Sequence, residues 1–480
     1  MILALDIGTS SVRAAIYDAQ GERVPDTFVK NERQIEFTEQ GGAEIDAEKA
    51  FAQVAEAVDE VLALAPEISG SVEYVAMSCF WHSLVGVDAG GSAVTPVLTW
   101  ADTRAKDWVE ELRNAFDQQE VHDRTGARFH PSFWTAKLLW YEQEQPEIFA
   151  AVDKWLSFSD YVALKLSGVA LTSISMASGT GIFDIRNCEW DSELLDFLGI
   201  AKEKLPSIAG DAQTFQTTRW EKLKNAKWFP AVADGVANNI GAGCVSKEKA
   251  ALMIGTSGAM RVAYTGEPPA EIPSGLWCYL IDRRRVIIGG ALSDGGGLYA
   301  WLKNTLKITD IDDEIEGEIS LRAPDSHGLT VMPFFTGERS TGYHENAAGA
   351  VLGLTQNTTA VEIVHAALEA VAFRFAAVFD QLKTVCSIHE IIASGGALRE
   401  SQVWTQIIAD VFGHDLTLPD TREASSRGAV LLALETIGKI DAIENIATPP
   451  GQKFTFNKDR HEVYKQARER HEKVYKKLFN

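Results

Sequence analysis

Two apolar runs joined by a short polar turn open the chain. The first run carries Asp6 near its end, the turn Gly8-Thr9-Ser10-Ser11 follows, and the second run continues to Tyr17. Because glycine allows a tight turn and a close backbone approach, this pattern predicts a β-hairpin over residues 4–17.

A second copy of this pattern begins the other half of the chain. Residues 251–258 follow the pattern of residues 4–11 and keep the Ile-Gly-Thr-Ser turn, but Met253 stands in the place of Asp6. A duplicated unit in a long chain indicates two related domains. We therefore divide the chain into an N-terminal domain, 1–245, and a C-terminal domain, 246–480, which face each other across a cleft.

Helical and strand-like patterns alternate around the two hairpins. Amphipathic or small-residue patterns predict helices over residues 46–65, 129–168, 236–243, 359–382 and 401–412, and a last helix from Asn457 onward. Short apolar runs predict strands over residues 72–78, 228–233 and 391–393. This β-to-α rhythm is typical of the α/β class.

The length and the net charge of the chain indicate a large protein that does not bind nucleic acids or membranes. The chain has 480 residues, of which 46% are hydrophobic and 23% charged, and this is enough apolar material for two large cores. The net charge of −22 disfavours nucleic acids and anionic membranes. No apolar run reaches the length of a membrane span. We therefore expect a cytoplasmic enzyme with no nucleic-acid or membrane partner.

The five cysteines add no chemistry of their own. They are scattered along the chain and form no Cys-x-x-Cys pair. We expect small buried hydrophobic residues in a reducing compartment, with no disulfide and no metal site.

The first hairpin turn has the composition of a phosphate site. Thr9 and Ser10 place hydroxyl groups beside free backbone N–H groups, and Asp6 is placed to hold a magnesium ion, directly or through water. An ordinary buried turn is the alternative. Because the chain contains neither a Gly-x4-Gly-Lys-Ser/Thr loop nor a dinucleotide fingerprint, the paired hairpins are the remaining polyphosphate candidate.

Two segments of the N-terminal domain combine aromatic and polar residues. Trp81 and His82 follow the predicted strand 72–78, and residues 100–104 begin a predicted helix. Side chains at the carboxyl ends of strands commonly contact ligands. Core tryptophans and a satisfied buried histidine are the alternative, and both interpretations stay open. Lys137 is either a solvated lysine or a contact to an anionic substrate.

Two more positions have both a structural and a functional interpretation. Asp234 follows a predicted strand and precedes a small-residue helix, where it is either an N-cap or a catalytic carboxylate near the domain boundary. Gly395 and Gly396 join a predicted strand to a helix, which suits either adenosine binding or a close strand–helix junction.

Taken in order, these segments resemble the FGGY carbohydrate kinases of the actin-like ATPase superfamily. The resemblance rests on residues 6–11, 234–235, 254–258, 337–339, 349–354 with 362–369, and 394–397 with Trp404, Gln406 and Asp410. It implies an α/β fold of two ribonuclease-H-like domains that close on ATP, Mg2+ and a sugar. The N-terminal domain would bind the sugar and supply the catalytic base, and the C-terminal domain would bind the nucleotide.

The resemblance also implies a role for individual residues. Asp234 corresponds to the catalytic base, and Asp6 to the carboxylate that organises magnesium. The expected phosphate contacts are Thr9, Ser10, Arg13 and Thr256, and the expected nucleotide contacts are Gly296, Gly396 and Glu400. The expected sugar contacts are Trp81, His82, Asp102 and Arg104, together with Asp234.

Within the family, the segments favour D-gluconate, converted to 6-phosphogluconate, as the substrate. Residues 99–104, His130-Pro131 with Lys137, and residues 233–235 resemble gluconokinases more closely than xylulokinases. A sugar acid would also give Arg104 or Lys137 a carboxylate to pair with.

Two other functions are weighed against this one. A xylulokinase acting on D-xylulose is the alternative within the family, although residues 80–83 lack the Gln-Met-His-Gly segment usual there, and Trp81 departs from both patterns. An ATP-driven actin-like interaction protein is the alternative from another class. The expected partner is a small sugar or sugar acid, and a homodimer stays open.

Overall fold

Each half of the chain builds a mixed β-sheet in the computed structural model, which describes residues 1–308, 312–420 and 423–479. In the first half, the strands are β1 Ile2–Ile7, β2 Ser11–Tyr17, β3 Val29–Glu32, β4 Glu36–Phe37, β5 Ala43–Ile45, β6 Tyr74–Cys79, β7 Val85–Val87, β8 Val97–Leu98, β9 Lys154–Leu156, β10 Leu171–Thr172, β11 Phe183–Asp184, β12 Glu189–Trp190, β13 Ser207–Ile208, β14 Lys227–Trp228 and β15 Val232–Ala233. The helices are α1 Ala47–Leu64, α2 Val109–Ala115, α3 Gln118–Thr125, α4 Trp134–Glu144, α5 Pro146–Ala151, α6 Phe158–Ser167, α7 Ile174–Ser178, α8 Ser192–Phe197 and α9 Asp234–Gly241. Short 3₁₀ turns include Arg104–Trp108, which leads into α2.

The first predicted hairpin is confirmed. Strands β1 and β2 are antiparallel, with Asp6 opposite Arg13, and β6 lies parallel to β1 on the other side, with Ser78 opposite Asp6. The order of the main sheet is β14-β6-β1-β2-β3, and β15 also pairs with β6. Asp46 caps α1 by accepting from the Lys49 backbone N–H, in agreement with the predicted helix 46–65.

Two predicted elements of the first half are wrong in detail. The strand predicted over 228–233 is two short strands, β14 and β15, separated at Pro230, which cannot donate a ladder hydrogen bond. The helix predicted over 129–168 is α4, α5 and α6, with β9 between the last two. The side chains of Trp155 and Leu156 in β9 are fully buried, and an apolar run this short does not reveal its helix or strand state by periodicity.

The second half repeats the arrangement with longer helices. Its strands are β16 Lys249–Ile254, β17 Gly258–Thr265, β18 Trp277–Asp282, β19 Arg285–Leu292, β20 Thr330–Met332, β21 Ala350–Leu352, β22 Glu390–Ser394, β23 Leu416–Pro419 and β24 Gly451–Phe454. Its helices are α10 Gly296–Thr305, α11 Asp312–Ser320, α12 Ala360–Leu382, α13 Gly396–Glu400, α14 Gln402–Phe412, α15 Ala424–Thr436 and α16 Lys458–Phe479. The main sheet has the order β18-β19-β17-β16-β22-β23-β24, and β16 with β17 forms the second predicted hairpin.

Helices α9 and α15 join the two halves through direct backbone contact. A Cβ atom on Gly241 would lie 1.9 Å from the Ala424 carbonyl oxygen, and one on Gly428 would lie 1.8 Å from the Ala237 carbonyl oxygen. Although α15 comes late in the sequence, its apolar residues Val430, Leu431 and Leu434 belong to the core of the first sheet. The first residue of α9 is therefore held by elements of both halves.

The five cysteines differ in their burial. Cys79, Cys244, Cys278 and Cys386 are buried free thiols, but Cys188 is partly exposed, so the expectation of burial is wrong for that residue.

None of the helices formed by the described residues is long and apolar enough to cross a membrane.

Candidate active site

The turn of the first hairpin presents unused backbone donors. The Gly8 N–H donates to the Ser11 carbonyl oxygen (2.9 Å), and the Arg33 guanidinium donates to the Gly8 carbonyl oxygen, which closes the turn. The backbone N–H groups of Thr9 and Ser10 have no acceptor among the described residues. Adjacent free N–H groups in a turn form a concave site for an anion.

Asp6 is fixed at the end of β1 by two donors. Its Oδ1 accepts from Ser78 Oγ (2.7 Å), and its Oδ2 accepts from Arg13 Nη1 (2.9 Å). Arg13 also lies 3.6 Å from the Glu423 carboxylate, at the start of α15. The guanidinium expected to contact phosphate is thus shared between two carboxylates of the protein itself.

The second hairpin turn matches the first in its free donors. Gly255 N–H donates to the Ser257 carbonyl oxygen (2.8 Å), whereas the N–H groups of Thr256 and Ser257 have no acceptor in the part of the chain that the structure describes. The start of α10 docks on this turn, because Gly296 N–H donates to the Gly255 carbonyl oxygen (2.7 Å). The two hairpins therefore offer corresponding free donors, although their turns close on different carbonyl oxygens.

The two glycines after β22, Gly395 and Gly396, differ in their surroundings. One suits a close strand–helix junction and the other suits adenosine binding. Gly395 has φ +100°, and a Cβ there would lie 2.1 Å from the Ile254 carbonyl oxygen, so this residue serves the close junction. A Cβ on Gly396 would meet nothing within 4 Å, so its backbone faces open space at the start of α13. Glu400 is exposed at the end of the same helix. Gly296 lies beside this segment, since its added Cβ would be 2.9 Å from Ala397 Cβ.

Asp234 is the first residue of α9 and lies directly after β15. Val232 of β15 lies opposite Ser78 of β6, and Ser78 lies opposite Asp6 of β1. Strand β15, which leads into Asp234, is therefore about 10 Å from strand β1, which carries Asp6. Burial raises the pKa of Asp234 to about 6, while the Arg261 guanidinium acts in the opposite direction. A carboxylate with such a pKa is suited to accepting a proton near neutral pH.

The expected sugar contacts in the Trp81 segment are partly used within the protein. The Trp81 indole N–H donates to the Ser175 carbonyl oxygen (2.9 Å), and its ring packs edge-on against Trp277 and Tyr279. His82 Nδ1 lies 2.6 Å from the Gly179 carbonyl oxygen, which places the ring proton on that nitrogen. The free Nε2 faces Arg339 Nη2 at 3.3 Å.

Asp102 and Arg104 form an ion pair with each other. Arg104 Nη2 lies 2.6 Å from Asp102 Oδ2 and 2.7 Å from Glu44 Oε2, and the guanidinium lies over the Trp140 ring. The Asp102 carboxylate also accepts from the Ala43 N–H (3.0 Å). Because two carboxylates already neutralise Arg104, it is a poor partner for a sugar acid.

Lys137 is not solvated. Its side chain is 0% exposed, and Nζ donates to the carbonyl oxygens of His82 (2.7 Å) and Thr99 (2.8 Å). Burial lowers the pKa of this lysine to about 7. The amine thus ties together the two aromatic segments that the sequence singled out.

The second half contributes side chains to this cleft that sequence reasoning missed as sugar contacts. Arg339 lies over the Trp100 ring, with 5.6 Å between its Cζ and the ring centroid. Arg261 is 6% exposed, and its Nε and Nη1 are buried without a hydrogen-bond partner among the described residues; the same holds for Tyr279 Oη. One signal was visible in the sequence, because Arg261 interrupts an otherwise apolar strand.

Charge is unbalanced at this point of the cleft. Asp234 is the carboxylate that acts most directly on Arg261, and it also acts on Arg339. Within the described ranges, neither arginine forms an ion pair within 4.0 Å. Two guanidinium groups, that of the buried Arg261 and that of the half-buried Arg339, thus share the half-buried carboxylate of Asp234. Such an arrangement favours an anionic ligand, because an unpaired buried charge is costly.

A buried network holds the loop that carries Arg339. Glu338 accepts from the Arg374 guanidinium and from Tyr475 Oη (2.7 Å), and it also accepts from the Gly342 N–H (3.2 Å). Further along this loop, Glu345 forms a two-point ion pair with Arg113 of α2, with both N···O distances at 2.9 Å. The loop is therefore anchored to both halves of the molecule.

Outside the cleft, the Glu369 carboxylate lies between two histidines, His327 and His365. Glu369 lies 2.9 Å from His327 Nε2 and 3.0 Å from His365 Nε2. The Leu329 N–H donates to His327 Nδ1 (3.0 Å), so the proton of this neutral ring is on Nε2 and points at Glu369. His327 is thus held as a hydrogen-bond donor to Glu369.

Comparison with known proteins finds similarity over nearly the whole chain. Residues 1–232 match the family model for the N-terminal domain of the FGGY family of carbohydrate kinases, and residues 250–436 match the one for its C-terminal domain. A gluconokinase of Bacillus subtilis (strain 168) is 28% identical over 472 residues, which cover 94% of this chain and 91% of that protein.

Solved structures show the same arrangement of elements. A gluconate kinase from Lactobacillus acidophilus superposes with a TM-score of 0.89 at 28% identity, covering 99% of this chain and 98% of that one. A ligand-bound xylulose kinase from the same organism gives a TM-score of 0.90, also at 28% identity and with the same coverage. The fold is therefore common to proteins named for different sugars.

Proposed function

Because the chain belongs to the FGGY family of carbohydrate kinases and is an ATP-dependent sugar kinase of ribonuclease-H-like fold, we propose that its substrate is D-gluconate, phosphorylated to 6-phosphogluconate. One observation carries this proposal. Arg339 lies over Trp100 and beside His82, and within the described residues it forms no ion pair. A sugar acid brings a negative charge to this guanidinium, whereas a neutral sugar does not.

Arg339 is the proposed carboxylate partner, in place of Arg104. Its guanidinium lies beside His82 and over Trp100, whereas that of Arg104 is neutralised by Asp102 and Glu44. An arginine can bind a carboxylate through two parallel hydrogen bonds, and charge-assisted bonds of this kind are the strong ones. His82 and Lys137 then act by shaping the pocket wall around the sugar.

The paired hairpins are the proposed phosphate site. Their free N–H groups at Thr9, Ser10, Thr256 and Ser257 suit phosphate oxygens, and the open face at Gly396 suits the flat adenosine ring. ATP supplies the phosphoryl group and the good leaving group. Asp6 is the proposed magnesium carboxylate, and Ser78 and Arg13 fix both of its oxygens in orientation, which suits contact through water.

Asp234 is the proposed general base. Its position at the rigid start of α9, between the two hairpins, lets it accept the proton of the substrate hydroxyl. Phosphoryl transfer needs little covalent help from the protein, so positioning and charge are the main tasks of these residues.

The xylulokinase alternative rests on the fold that this chain shares with the xylulose kinase of Lactobacillus acidophilus. The actin-like interaction protein is no longer supported, because both halves of the chain match carbohydrate kinase domains.

The test is a coupled ADP-release assay with matched substrates. D-gluconate and D-glucitol differ chiefly in the carboxylate, and D-xylulose and glycerol represent other sugars of the family. We expect the highest kcat/KM with D-gluconate and little turnover with D-glucitol. Turnover confined to D-xylulose would overturn the proposed substrate while leaving the sugar kinase assignment intact.

Replacement of Arg339 tests the observation itself. Loss of charge-assisted hydrogen bonds worth about 1.5–3 kcal/mol should raise KM for D-gluconate about 10- to 150-fold in Arg339→Gln. Arg186→Gln is the matched control, because Arg186 also joins the two halves but donates to the backbone carbonyl oxygens of Asp123 and Pro268. An unchanged KM in Arg339→Gln would remove Arg339 from substrate binding.

A further inference from the structure

Arg261 lies on the strand that leaves the second hairpin turn. Strand β17 begins at Gly258, and its residues Met260, Val262 and Tyr264 face the core of the second half. Alternation places Ala259, Arg261 and Ala263 on the opposite face, where Ala263 packs with the core of the first half. The Arg261 side chain therefore crosses from the nucleotide side of the molecule to the sugar side.

Two glycines make room for this crossing. A Cβ on Gly289 would lie 3.1 Å from Arg261 Cγ, so the stem passes over that residue. A Cβ on Gly235 would lie 3.1 Å from Arg261 Nε and 3.3 Å from Cζ, so the guanidinium reaches the residue that follows Asp234. The charged group thus lies beside the start of α9 and the proposed base.

The donors of this guanidinium are left unused. Nε and Nη1 are buried, and neither has a hydrogen-bond partner within the residues that the structure describes. A buried donor without a partner destabilises the fold, and the cost is larger when the group is charged. A guanidinium in this state is suited to a ligand that offers oxygen atoms.

The position of Arg261 distinguishes it from Arg339. Arg339 lies over Trp100 and beside His82, at the sugar end of the cleft. Arg261 shares a strand with the phosphate turn and contacts the helix start that carries Asp234. A phosphoryl group that moves from the turn to a hydroxyl beside Asp234 passes this guanidinium.

We propose that Arg261 is a further catalytic residue, which binds the oxygens of the phosphoryl group during its transfer. The inference rests on the proposed roles of Asp234 and the hairpin turns, and it holds for any sugar. Charge on the equatorial oxygens of a transferring phosphoryl group is stabilised by a positioned arginine in many kinases and GTPases.

The transfer exchanges one phosphorus–oxygen bond for another and moves one proton. The substrate hydroxyl oxygen forms a bond to the γ-phosphorus, and the bond between that phosphorus and the bridging oxygen breaks. The hydroxyl proton passes to the Asp234 carboxylate, and ADP leaves with the electron pair of the broken bond. Arg261 keeps its proton throughout and contributes only charge and hydrogen bonds.

Arg261 has a second effect through Asp234. The charged or titratable groups that act on this carboxylate are Arg261, Asp6 and Arg339, with Cys79 behind it on β6. Arg261 has the largest effect among the groups that oppose burial. Removing it should raise the pKa of Asp234 and shift the acidic limb of the kcat profile to higher pH.

Steady-state kinetics with the preferred sugar test the proposal. Arg261→Met should lower kcat about 100- to 1,000-fold and change KM for the sugar less than about threefold. Arg261→Lys should recover part of the rate, and the acidic limb should move only in Arg261→Met. A sugar KM raised more than about 30-fold with kcat retained would overturn the proposal and make Arg261 a substrate ligand.

A binding measurement gives a readout apart from turnover. ADP with aluminium fluoride imitates the transferring phosphoryl group, so its affinity in the presence of the sugar should fall in Arg261→Met, while the affinity for ADP alone stays unchanged. If Arg261→Met fails to fold, Arg261→Gln, which also removes the charge, is measured in its place. Equal affinity for the analogue in the wild type and the folded variant would overturn the proposal, whichever sugar proves to be the substrate.

Discussion

Lys137 provides the sharpest test of how the pocket wall is built. Its amine is fully buried and joins the carbonyl oxygens of His82 and Thr99, and burial lowers its pKa from 10.5 to about 7. A neutral amine has two hydrogens, which is the number that these two carbonyl groups require. The replacement Lys137→Met keeps most of the length of the side chain and removes both donors.

The expected stability difference depends on pH. In the pH range between about 7 and 10, the unfolded chain binds one proton more at Lys137 than the folded chain does, so the stability of the wild type rises with pH. The slope is about 1.4 kcal/mol per pH unit, or about 3 kcal/mol between pH 7 and 9.5. Below about pH 7 the Lys137 amine is charged in both the folded and the unfolded chain. The stability of the wild type then no longer changes with pH through this group. Loss of the two donors costs the variant about 1–3 kcal/mol for each carbonyl at any pH.

Urea unfolding followed by tryptophan fluorescence measures this difference. The stability gap between the wild type and Lys137→Met should be nearly constant from about pH 6 to 7 and should widen steadily up to about pH 9.5. Lys165→Met is the control, because the Lys165 amine pairs with Glu48 near the surface (3.0 Å) and should give a small gap at every pH. A gap for Lys137→Met that stays flat over the whole range would refute the argument from burial.

Three further predictions concern the base, the Arg339 loop and the helix crossing. Asp234→Asn should lower kcat about 100- to 10,000-fold with nucleotide affinity retained in calorimetry, and a rate near that of the wild type would contradict its role as base. Glu338→Gln should raise KM for the sugar acid without changing that for ATP, because the loop loses its charged anchor to Arg374; equal effects on both constants would indicate a general loss of structure. Gly428→Ala should destabilise the protein by about 1–3 kcal/mol in thermal unfolding, whereas Gly396→Ala, which meets open space, should have no such effect, and equal melting temperatures would rule out the close contact.

The sequence was most informative where local chemistry decides the structure. The two hairpins, the capped helix α1 and the long helix α12 follow from turn residues, caps and periodicity, and all are present. Strand β9 was missed because its short apolar run lies between helical patterns, and burial in the tertiary fold determines its conformation. Pro230 divides the strand before Asp234, which the apolar run alone did not reveal.

Side-chain partners were the least predictable part of the site. In the sequence, Arg104 and Lys137 were both candidates to bind an anionic ligand. In the structure, Arg104 pairs with Glu44, and Lys137 donates to two backbone carbonyl groups. These partners lie far from them along the chain. Arg261 and Arg339 enter the sugar side of the cleft from the second half, which the sequence associated with the nucleotide alone. Contacts between distant segments depend on how the domains pack, and no local pattern encodes them.

The crossing of α9 and α15 bears on how new variants of this enzyme could be assembled. Each helix contributes one glycine, Gly241 or Gly428, that receives a backbone carbonyl oxygen of the other helix, although the two residues lie in opposite halves of the sequence. A chimera that joins the first half of one relative to the second half of another therefore combines an α9 and an α15 whose contact surfaces come from different proteins. Exchanging α9 and α15 as a pair keeps the position of Asp234 intact, and libraries built by recombination should retain activity most often when both helices come from the same parent.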